Sequence, residues 1–449
     1  MFSYDGIKKK KGEMKLRKYV IISLLLFCML FFVGCSFSQD GDGNEDGDNN
    51  DQASISIWHN FSGEDLRAGV VQQIIEDFEE EYPDVVVDAQ AIPVDGYRER
   101  ISTAAAAKEL PDVFLGYPGS FTDEYYEGDL IQPITPIFEE NPEWEEGFLD
   151  EALDIFEYDD ELYSAPVAIS ATSFLFYNKE LFEENDIEFP TTWTELMEAI
   201  DAFNELDITP ISLGNKEPWV AQSTTFGAIA DRVTGTEWFM DAVEQDGATF
   251  TDEEFITALE YFQDLVENDA YQEGANGIDD TQAQQYFAQG NAAMIVDGSW
   301  TISGLAGTVS EDVLEKIGVA VFPEIEDGDG SGNTITGGPG GGFLLNSKTE
   351  GADKEAALDL IYALSDEDAQ KAIAESESLV MYDVDIQKDE VSPLFYDTFN
   401  LLKDAEFAPV YDIYLSSEAA EEVNNGLQDI MLGSDLESVA ENIQKAQEK

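Results

Sequence analysis

The sequence predicts an α/β protein, because short apolar runs that suit buried strands alternate with helical patterns along the chain. In the stretch 286–300, a helix that ends at a left-handed Gly290, an apolar strand pattern at 292–296 and a turn at Asp297 follow one another, and Ser299 is the expected N-cap of the next segment. Near the start, strand patterns at 54–58 and 85–87 enclose a helical pattern. This β-α-β order implies two parallel strands joined by a right-handed crossover. The length of 449 residues suggests two or three domains.

Local signals predict the further elements in chain order. Ser62 and Asp65 suggest a capping box before the first helix. The apolar face of that helix would consist of Leu66, Val70, Ile74 and Phe78. Thr192 or Thr194 would cap a helix at 195–203. The other predicted elements are strands at 111–115, 174–178 and 317–322, helices at 353–364 and 366–374, and one terminal helix at 427–446.

The chain is strongly acidic, with 22 Lys and Arg against 96 Asp and Glu and a formal net charge of −74. Such a field repels phosphate backbones and argues against nucleic acid as a partner. A surface of this kind stays hydrated in salty media, where screening relieves its self-repulsion. We therefore expect a halophilic or alkaliphilic source, although the charge by itself indicates no ligand.

The N-terminus has the pattern of a secretory signal. Basic residues at 8–18 precede an apolar run at 19–33, which is too short to span a membrane comfortably. The start residue is either Met1 or Met14, because a complete basic region also follows Met14. The segment Phe32-Val33-Gly34-Cys35 resembles a bacterial lipobox, which implies cleavage after residue 34 and lipid, including palmitate, on Cys35. An uncleaved signal anchor is the alternative.

The segment after Cys35 is rich in Asp, Gly and Asn and has almost nothing to bury, so we predict an acidic tether at 35–53. A partial calcium-loop pattern begins at Asp40, but Glu45 replaces the glycine expected at its sixth position, which favours a linker. Cys28 lies in the segment to be removed. We therefore expect no disulfide, no cysteine metal ligand and no thiol nucleophile in the folded part.

Several segments carry motifs that occur together in one family. They are F-A-Q-G-N-A-A-M-I-V-D-G-S-W at 287–300, P-D-V at 111–113, and Y-N-K at 177–179 followed by P-T-T-W at 190–193. In this order they resemble the signatures of the extracellular solute-binding proteins of ABC importers, of the maltodextrin-binding type. The resemblance covers about residues 54–446. It implies a bilobal periplasmic-binding-protein fold of type II, with a hinge and a ligand cleft between two lobes.

The resemblance also implies how the chain is divided. The expected segments are a lipoprotein signal peptide at 1–34, the tether at 35–53, a first lobe at 54–164 and about 337–378, and a second lobe at 165–336 and about 379–449. The chain would cross between the lobes near 163–170 and in the glycine-rich segment 336–343. Glycine at such a crossing lets the backbone approach a ligand closely.

A sugar site needs aromatic platforms for the apolar faces of pyranose rings and polar acceptors for their hydroxyl groups. The predicted platforms are Trp58, Tyr117, Trp219 and Trp300. The predicted polar contacts are His59, Ser170, Glu217 and Asp297, together with the backbone of Gly338. Trp219 could instead be a core residue. His59, the only histidine, could instead have a structural, hydrogen-bonded role.

The resemblance implies a monomeric, lipid-anchored protein on the outer face of the cell membrane. It would bind a sugar, expected to be an oligosaccharide, and deliver it to an ABC permease. No catalytic residue, cofactor or metal site is predicted. Two alternatives stay open. The same fold could hold a quaternary-ammonium osmolyte or a polyamine in an aromatic cage with carboxylates. A surface glycosidase could use two carboxylates, although no motif singles out such a pair.

Overall fold

Two separate β-sheets organise the chain in the computed structural model, which describes residues 52–63, 65–149, 152–402 and 405–448. Each sheet has its own hydrophobic core and its own set of helices. The predictions about the signal peptide, the lipidation of Cys35 and nearly all of the tether concern residues outside the described part.

The first sheet confirms the predicted parallel pair. Its strands, in order across the sheet, are Val85–Ala91, Ala53–His59, Val113–Gly116, Gly342–Asn346 and Ile131–Gln132. The first three are parallel, whereas Gly342–Asn346 is antiparallel to both of its neighbours. The helices of this half are Leu66–Glu81, Val94–Ala107, Ser120–Glu127, Thr135–Glu140, Pro142–Glu146, Gly351–Ala363 and Glu367–Glu375.

The first helix differs in two ways from its prediction. Asp65 itself is the N-cap, and its carboxylate accepts a hydrogen bond from the Arg67 amide at 2.9 Å. The capping box that begins at Ser62 was therefore wrong. The fully buried face consists of Val71, Ile75 and Phe78, so it is rotated from the predicted one by about one residue. Leu66, in the first turn, is 38% exposed although it is apolar, so its hydrophobicity does not mark the buried face.

The second sheet is built around Ala292–Asp297, in which every residue is buried. Its strands, in order, are Ile317–Val321, Phe174–Asn178, Ala292–Asp297 and Thr209–Ser212. Two small sheets pair Thr334–Thr336 with Glu406–Ala408 and Glu157–Tyr158 with Glu161–Leu162. The helices of this half are Lys179–Glu184, Trp193–Glu205, Trp219–Ala221, the π-helical Gln222–Phe226, Gly227–Thr234, Thr236–Glu244, Glu253–Glu267, Asp280–Ala288, Trp300–Thr308, Glu311–Leu314, Pro393–Leu402, Tyr411–Tyr414, Ser417–Met431 and Leu436–Gln447.

The predicted helix ends are partly confirmed. Thr192 caps Trp193–Glu205 and forms a capping box with Glu195. Gly290 has the left-handed φ of +76° that ends the helix before Ala292–Asp297. The single terminal helix was wrong, because the chain breaks at Gly433, whose φ is +91°, and a new helix begins after it.

The chain passes between the two halves through segments that lie side by side. Core membership changes between Val167 and Ala171, between Ile335 and Phe343, and between Tyr382 and Leu394. The Ile169 amide donates to the Leu379 carbonyl at 2.7 Å, while the Ser170 amide donates to the Gly338 carbonyl at 3.0 Å. The predicted lobe boundaries lie close to these changes and remain predictions.

Candidate functional site

A cavity of about 640 Å³ lies between the two halves, at the ends of several strands. Its volume falls in the range of about 300–1,000 Å³ that is usual for small-molecule sites. Asn60 and Tyr117 follow directly after strands of the first sheet, and Trp300 follows closely after Ala292–Asp297 of the second. The charged wall residues include Asp65, Arg67, Arg98, Glu217, Asp280 and Asp412. Both halves therefore contribute rings and charges to one space.

The structure brings part of the predicted contact set together. Tyr117, Ser170, Glu217, Trp219 and Trp300 all line this cavity. They come from separate parts of the chain and from both halves, and Ser170 belongs to a segment that crosses between them. The motif-based prediction thus selected residues that become neighbours only in the folded chain.

The other predicted contacts lie outside the wall. Trp58 borders a separate cavity of about 510 Å³, where the Arg100 guanidinium lies 4.4 Å from its ring centre. His59 is buried, which lowers the pKa of its imidazole to about 4 and keeps it neutral at neutral pH. Asp297 has no exposed surface, and the Gly338 carbonyl is engaged by Ser170. We therefore restrict the proposed ligand contacts to the residues of the wall.

Tyr117 is held rigidly by its neighbours. Its hydroxyl accepts a hydrogen bond from the Asn60 side-chain amide at 2.7 Å. The Arg98 guanidinium lies over its ring at 4.4 Å, and Phe121 meets the ring edge-on at 5.3 Å between centres. Burial raises the pKa of the Tyr117 hydroxyl, so the ring is neutral at ordinary pH. A ring fixed in this way can serve as a platform without a further loss of side-chain entropy on binding.

Two tryptophans form the facing part of the wall. Trp219 and Trp300 meet edge to face, with 5.6 Å between ring centres and 68° between their planes. Gly298 is required beneath Trp300, because a Cβ atom there would lie 2.2 Å from the indole ring. Ser299 is at the predicted N-cap position, but its hydroxyl donates to the Ile169 carbonyl and not to the helix. The turn therefore serves to aim the indole at the cavity.

Behind Trp300 lies a network of polar side chains, of which the sequence predicted only Asp297 as a site residue. The Trp300 indole N–H donates to Asp280 at 3.1 Å. The Gln284 side-chain amide donates to Asp280 at 3.0 Å and to Asp297 at 2.9 Å. Asp280 begins the helix Asp280–Ala288 and Gln284 lies one turn later. The signal that could have revealed them is an acid and an amide at spacing i, i+4 on a helix that leads into the motif.

Both arginines of the wall are paired with wall carboxylates. Arg67 binds Asp65 through Nε and Nη2, with the shortest contact at 2.5 Å. Arg98 binds Asp412 at 3.1 Å. The second pair joins the two halves, since the short helix Tyr411–Tyr414 packs in the second core. Sequence reasoning could not find it, because its partners are 314 residues apart.

The described part of the chain contains neither a membrane-spanning helix nor a cluster of metal-binding side chains. Over residues 52–63, 65–149, 152–402 and 405–448, no helix combines the length and the apolar character needed to cross a membrane. The same residues contain no group of three or more His, Cys, Asp or Glu side chains arranged to hold a metal ion.

The sequence matches a known family over most of its length. The family model described as bacterial extracellular solute-binding protein matches residues 64–371. The multiple sugar-binding protein of Streptococcus mutans is 21% identical over 391 residues, covering 84% of this chain and 85% of that protein. The xylose/arabinose-binding protein of Haloferax volcanii is 25% identical over 286 residues, covering 61% of this chain and 59% of that protein.

Solved structures share the fold over most of the chain. A structure from a study of xylan utilization by the thermophilic bacterium Caldanaerobius polysaccharolyticus is 27% identical, with a TM-score of 0.80 over 87% of this chain and 99% of the other. A chitin oligosaccharide binding protein is 24% identical, with a TM-score of 0.81 over 88% of this chain and 98% of the other. The second similarity concerns the fold alone.

Proposed function

Since this chain belongs to the bacterial extracellular solute-binding proteins, we propose that it captures a sugar in the cavity between its halves and delivers it to an ABC permease. The predicted family and the predicted bilobal type II fold are confirmed by the family match and the similar structures. The names of the relatives support a sugar as the ligand, because they include a multiple sugar-binding protein and a xylose/arabinose-binding protein.

The observation that carries the proposal is the composition of the cavity wall. Tyr117 faces the cavity from the first half, and Trp219 and Trp300 face it from the second. Glu217 and Asp280 add carboxylates beside the two indoles. Stacked rings with adjacent hydrogen-bonding groups suit a pyranose, whose faces are apolar and whose edge carries hydroxyl groups. The volume has room for more than one such ring, which favours an oligosaccharide.

Closure of the two halves is the proposed mechanism. A ligand that contacts Tyr117 and Trp300 together touches both halves and stabilises the form in which they are close. The permease would recognise that form. The protein itself performs no chemistry in this proposal. Lipid on Cys35 would hold the protein at the outer face of the membrane. The protein would act there as a monomer.

A thermal-shift screen of the purified protein in high salt tests the ligand class. Mono- and oligosaccharides, betaine and polyamines are compared at equal concentration. A ligand at a hundredfold excess over its Kd stabilises the native state by about 2.7 kcal/mol. Stabilisation by one class of sugar, confirmed by calorimetry and by compaction in small-angle scattering, is the expected result. No stabilisation by any sugar would refute the proposal.

A cationic solute is the second candidate, because Asp65, Glu217, Asp280 and Asp412 lie among the aromatic residues of the wall. Stabilisation only by betaine or by a polyamine would favour it. A surface glycosidase would instead release reducing sugar from the bound oligosaccharide, and we expect no such release.

A further inference from the structure

Two buried carboxylates lie side by side behind Trp300. Asp297 is fully buried, and Asp280 is 4% exposed. The side-chain nitrogen of Gln284 donates to Oδ2 of Asp297 at 2.9 Å and to Oδ2 of Asp280 at 3.0 Å. The two carboxylates therefore share a small space from which water is largely excluded.

The partners of Asp297 suit a negative charge. The Gly298 amide donates to its Oδ1 at 2.7 Å, and the Thr301 hydroxyl donates to its Oδ2 at 2.5 Å. Three protein donors thus converge on this carboxylate when Gln284 is included. Asp280, in contrast, borders the cavity and accepts the indole N–H of Trp300.

Two ionised carboxylates that share one hydrogen-bond donor repel each other strongly in a buried site. One of them is therefore expected to keep its proton. The ion pairs found among the described residues do not include Asp297. Burial raises the pKa of Asp297 to about 6, in spite of its hydrogen bonds, which agrees with this expectation.

The charged groups near the pair are mostly acids. The adjoining strands Phe174–Asn178 and Thr209–Ser212, the segment Gln222–Phe226 and the helix Trp300–Thr308 contain no charged residue. The neighbouring segments carry Asp279, Lys216 and Glu217, and the cavity that Asp280 borders adds Asp65, Arg67, Arg98, Glu99 and Asp412. Five of these eight groups are acids, and both arginines are paired with wall carboxylates, which favours retention of a proton.

We propose that Asp280 and Asp297 hold one proton between them, and that this shared proton keeps Asp280 and Trp300 in the position that the ligand needs. Asp280 and Asp297 act as positioning residues, and binding is thereby coupled to the pH of the medium. This inference rests on the proposed function, since it concerns the same cavity.

The direction of the effect follows from burial. A ligand that covers Asp280 removes the remaining water from the pair and so favours its protonated form. Binding then takes up protons above the pKa of Asp297, which burial raises to about 6. Because linkage is reciprocal, the affinity falls as the pH rises, by up to about tenfold per pH unit. The affinity levels off below that pKa.

Calorimetry with a sugar identified in the screen tests the proposal at pH 5 and pH 8. Each titration is repeated in two buffers of different ionisation enthalpy, which gives the number of protons taken up. We expect uptake approaching one proton at pH 8, uptake near zero at pH 5, and an affinity at least tenfold weaker at pH 8. Asp297→Asn should abolish both the uptake and the pH dependence.

Asp366→Asn is the matched control, because Asp366, like Asp297, accepts a hydrogen bond from a backbone amide and has a pKa raised by burial, but lies outside the wall. It should behave as the wild type. Binding without proton uptake, or uptake that persists in Asp297→Asn, would overturn the proposal while leaving the sugar-binding function intact. The number of protons that the wild type takes up on binding is measured without any variant. The proposal can therefore be tested even if a variant folds poorly. Absence of sugar binding at every pH would refute the proposed function itself.

Discussion

Replacement of Arg98 by alanine should weaken ligand binding without removing any of the tryptophan platforms. Arg98 lies over the ring of Tyr117 and binds Asp412 across the two halves. Its side chain is 42% exposed, so the ion pair contributes about 1 kcal/mol or less to closure. The contact with the ring adds about 0.5–1 kcal/mol. The sum of about 0.5–2 kcal/mol predicts a Kd roughly 2- to 30-fold higher, measured by calorimetry at 0.1 M salt.

A double-mutant cycle separates the ion pair from the ring contact. The Asp412 side chain is only 8% exposed, so Arg98→Ala leaves a mostly buried carboxylate without its guanidinium. Adding Asp412→Asn should therefore restore part of the lost affinity. Lys371→Ala is the control, since the pair Lys371–Glu375 lies within one helix. If Asp412→Asn raises the Kd of the Arg98→Ala variant by the same factor as it raises the Kd of the wild type, the two effects are independent. The ion pair then does not stabilise the closed form.

Three other outcomes are expected. Trp300→Ala should raise the Kd at least about tenfold, because a platform and its hydrogen bond to Asp280 are both lost; an unchanged Kd by calorimetry would exclude Trp300 from the site. Gly342→Ala should lower the free energy of unfolding by about 1–3 kcal/mol in urea titrations, because its Cβ would lie 2.2 Å from the Ala165 carbonyl oxygen. Gly338→Ala, with no neighbour within 4 Å, should be nearly neutral, and equal effects of the two would contradict the packing argument. For Asp297, the rise of the pKa from 3.8 to about 6 means that its contribution to stability is fully present below about pH 4, falls by about 3 kcal/mol as the pH rises from there through about 6, and is lost above that pH. Asp297→Asn should flatten this fall in urea unfolding at fixed salt, and an unchanged pH profile would contradict the assigned shift.

Local sequence signals predicted the elements that depend on neighbours in the chain. The buried strand Ala292–Asp297, the left-handed Gly290 and the capping box of Thr192 each follow from a few adjacent residues. The terminal helix was misjudged because the apolar pattern continues through Leu432, which is 79% exposed at the break. Periodicity alone could not show that Gly433 changes the direction of the chain there.

The candidate site was only partly predictable for a different reason. Trp300 closes the motif at 287–300, Tyr117 follows the strand that begins in the P-D-V motif, and both residues line the cavity. Trp58 also stands at a strand end, yet its ring lies beside Arg100 in another space. Successive residues of a strand face opposite sides of a sheet, so a difference of one position decides which space a side chain enters. The Arg98–Asp412 pair depends on tertiary packing alone.

The side-by-side arrangement of the crossing segments limits how the two halves can move. Val167 donates to Gly341, Gly340 donates to Ala168, and Ile169 donates to Leu379, so bending at one segment is transmitted to the next. Because these hydrogen bonds tie the crossing segments together, one segment cannot twist without the others. Rotation of one half against the other about a single shared axis is then the motion that costs the least energy. In the proposed closing motion, an open form would sample a narrow set of orientations and would lose little orientational entropy on closing. A modest number of ligand contacts would then be enough to drive closure.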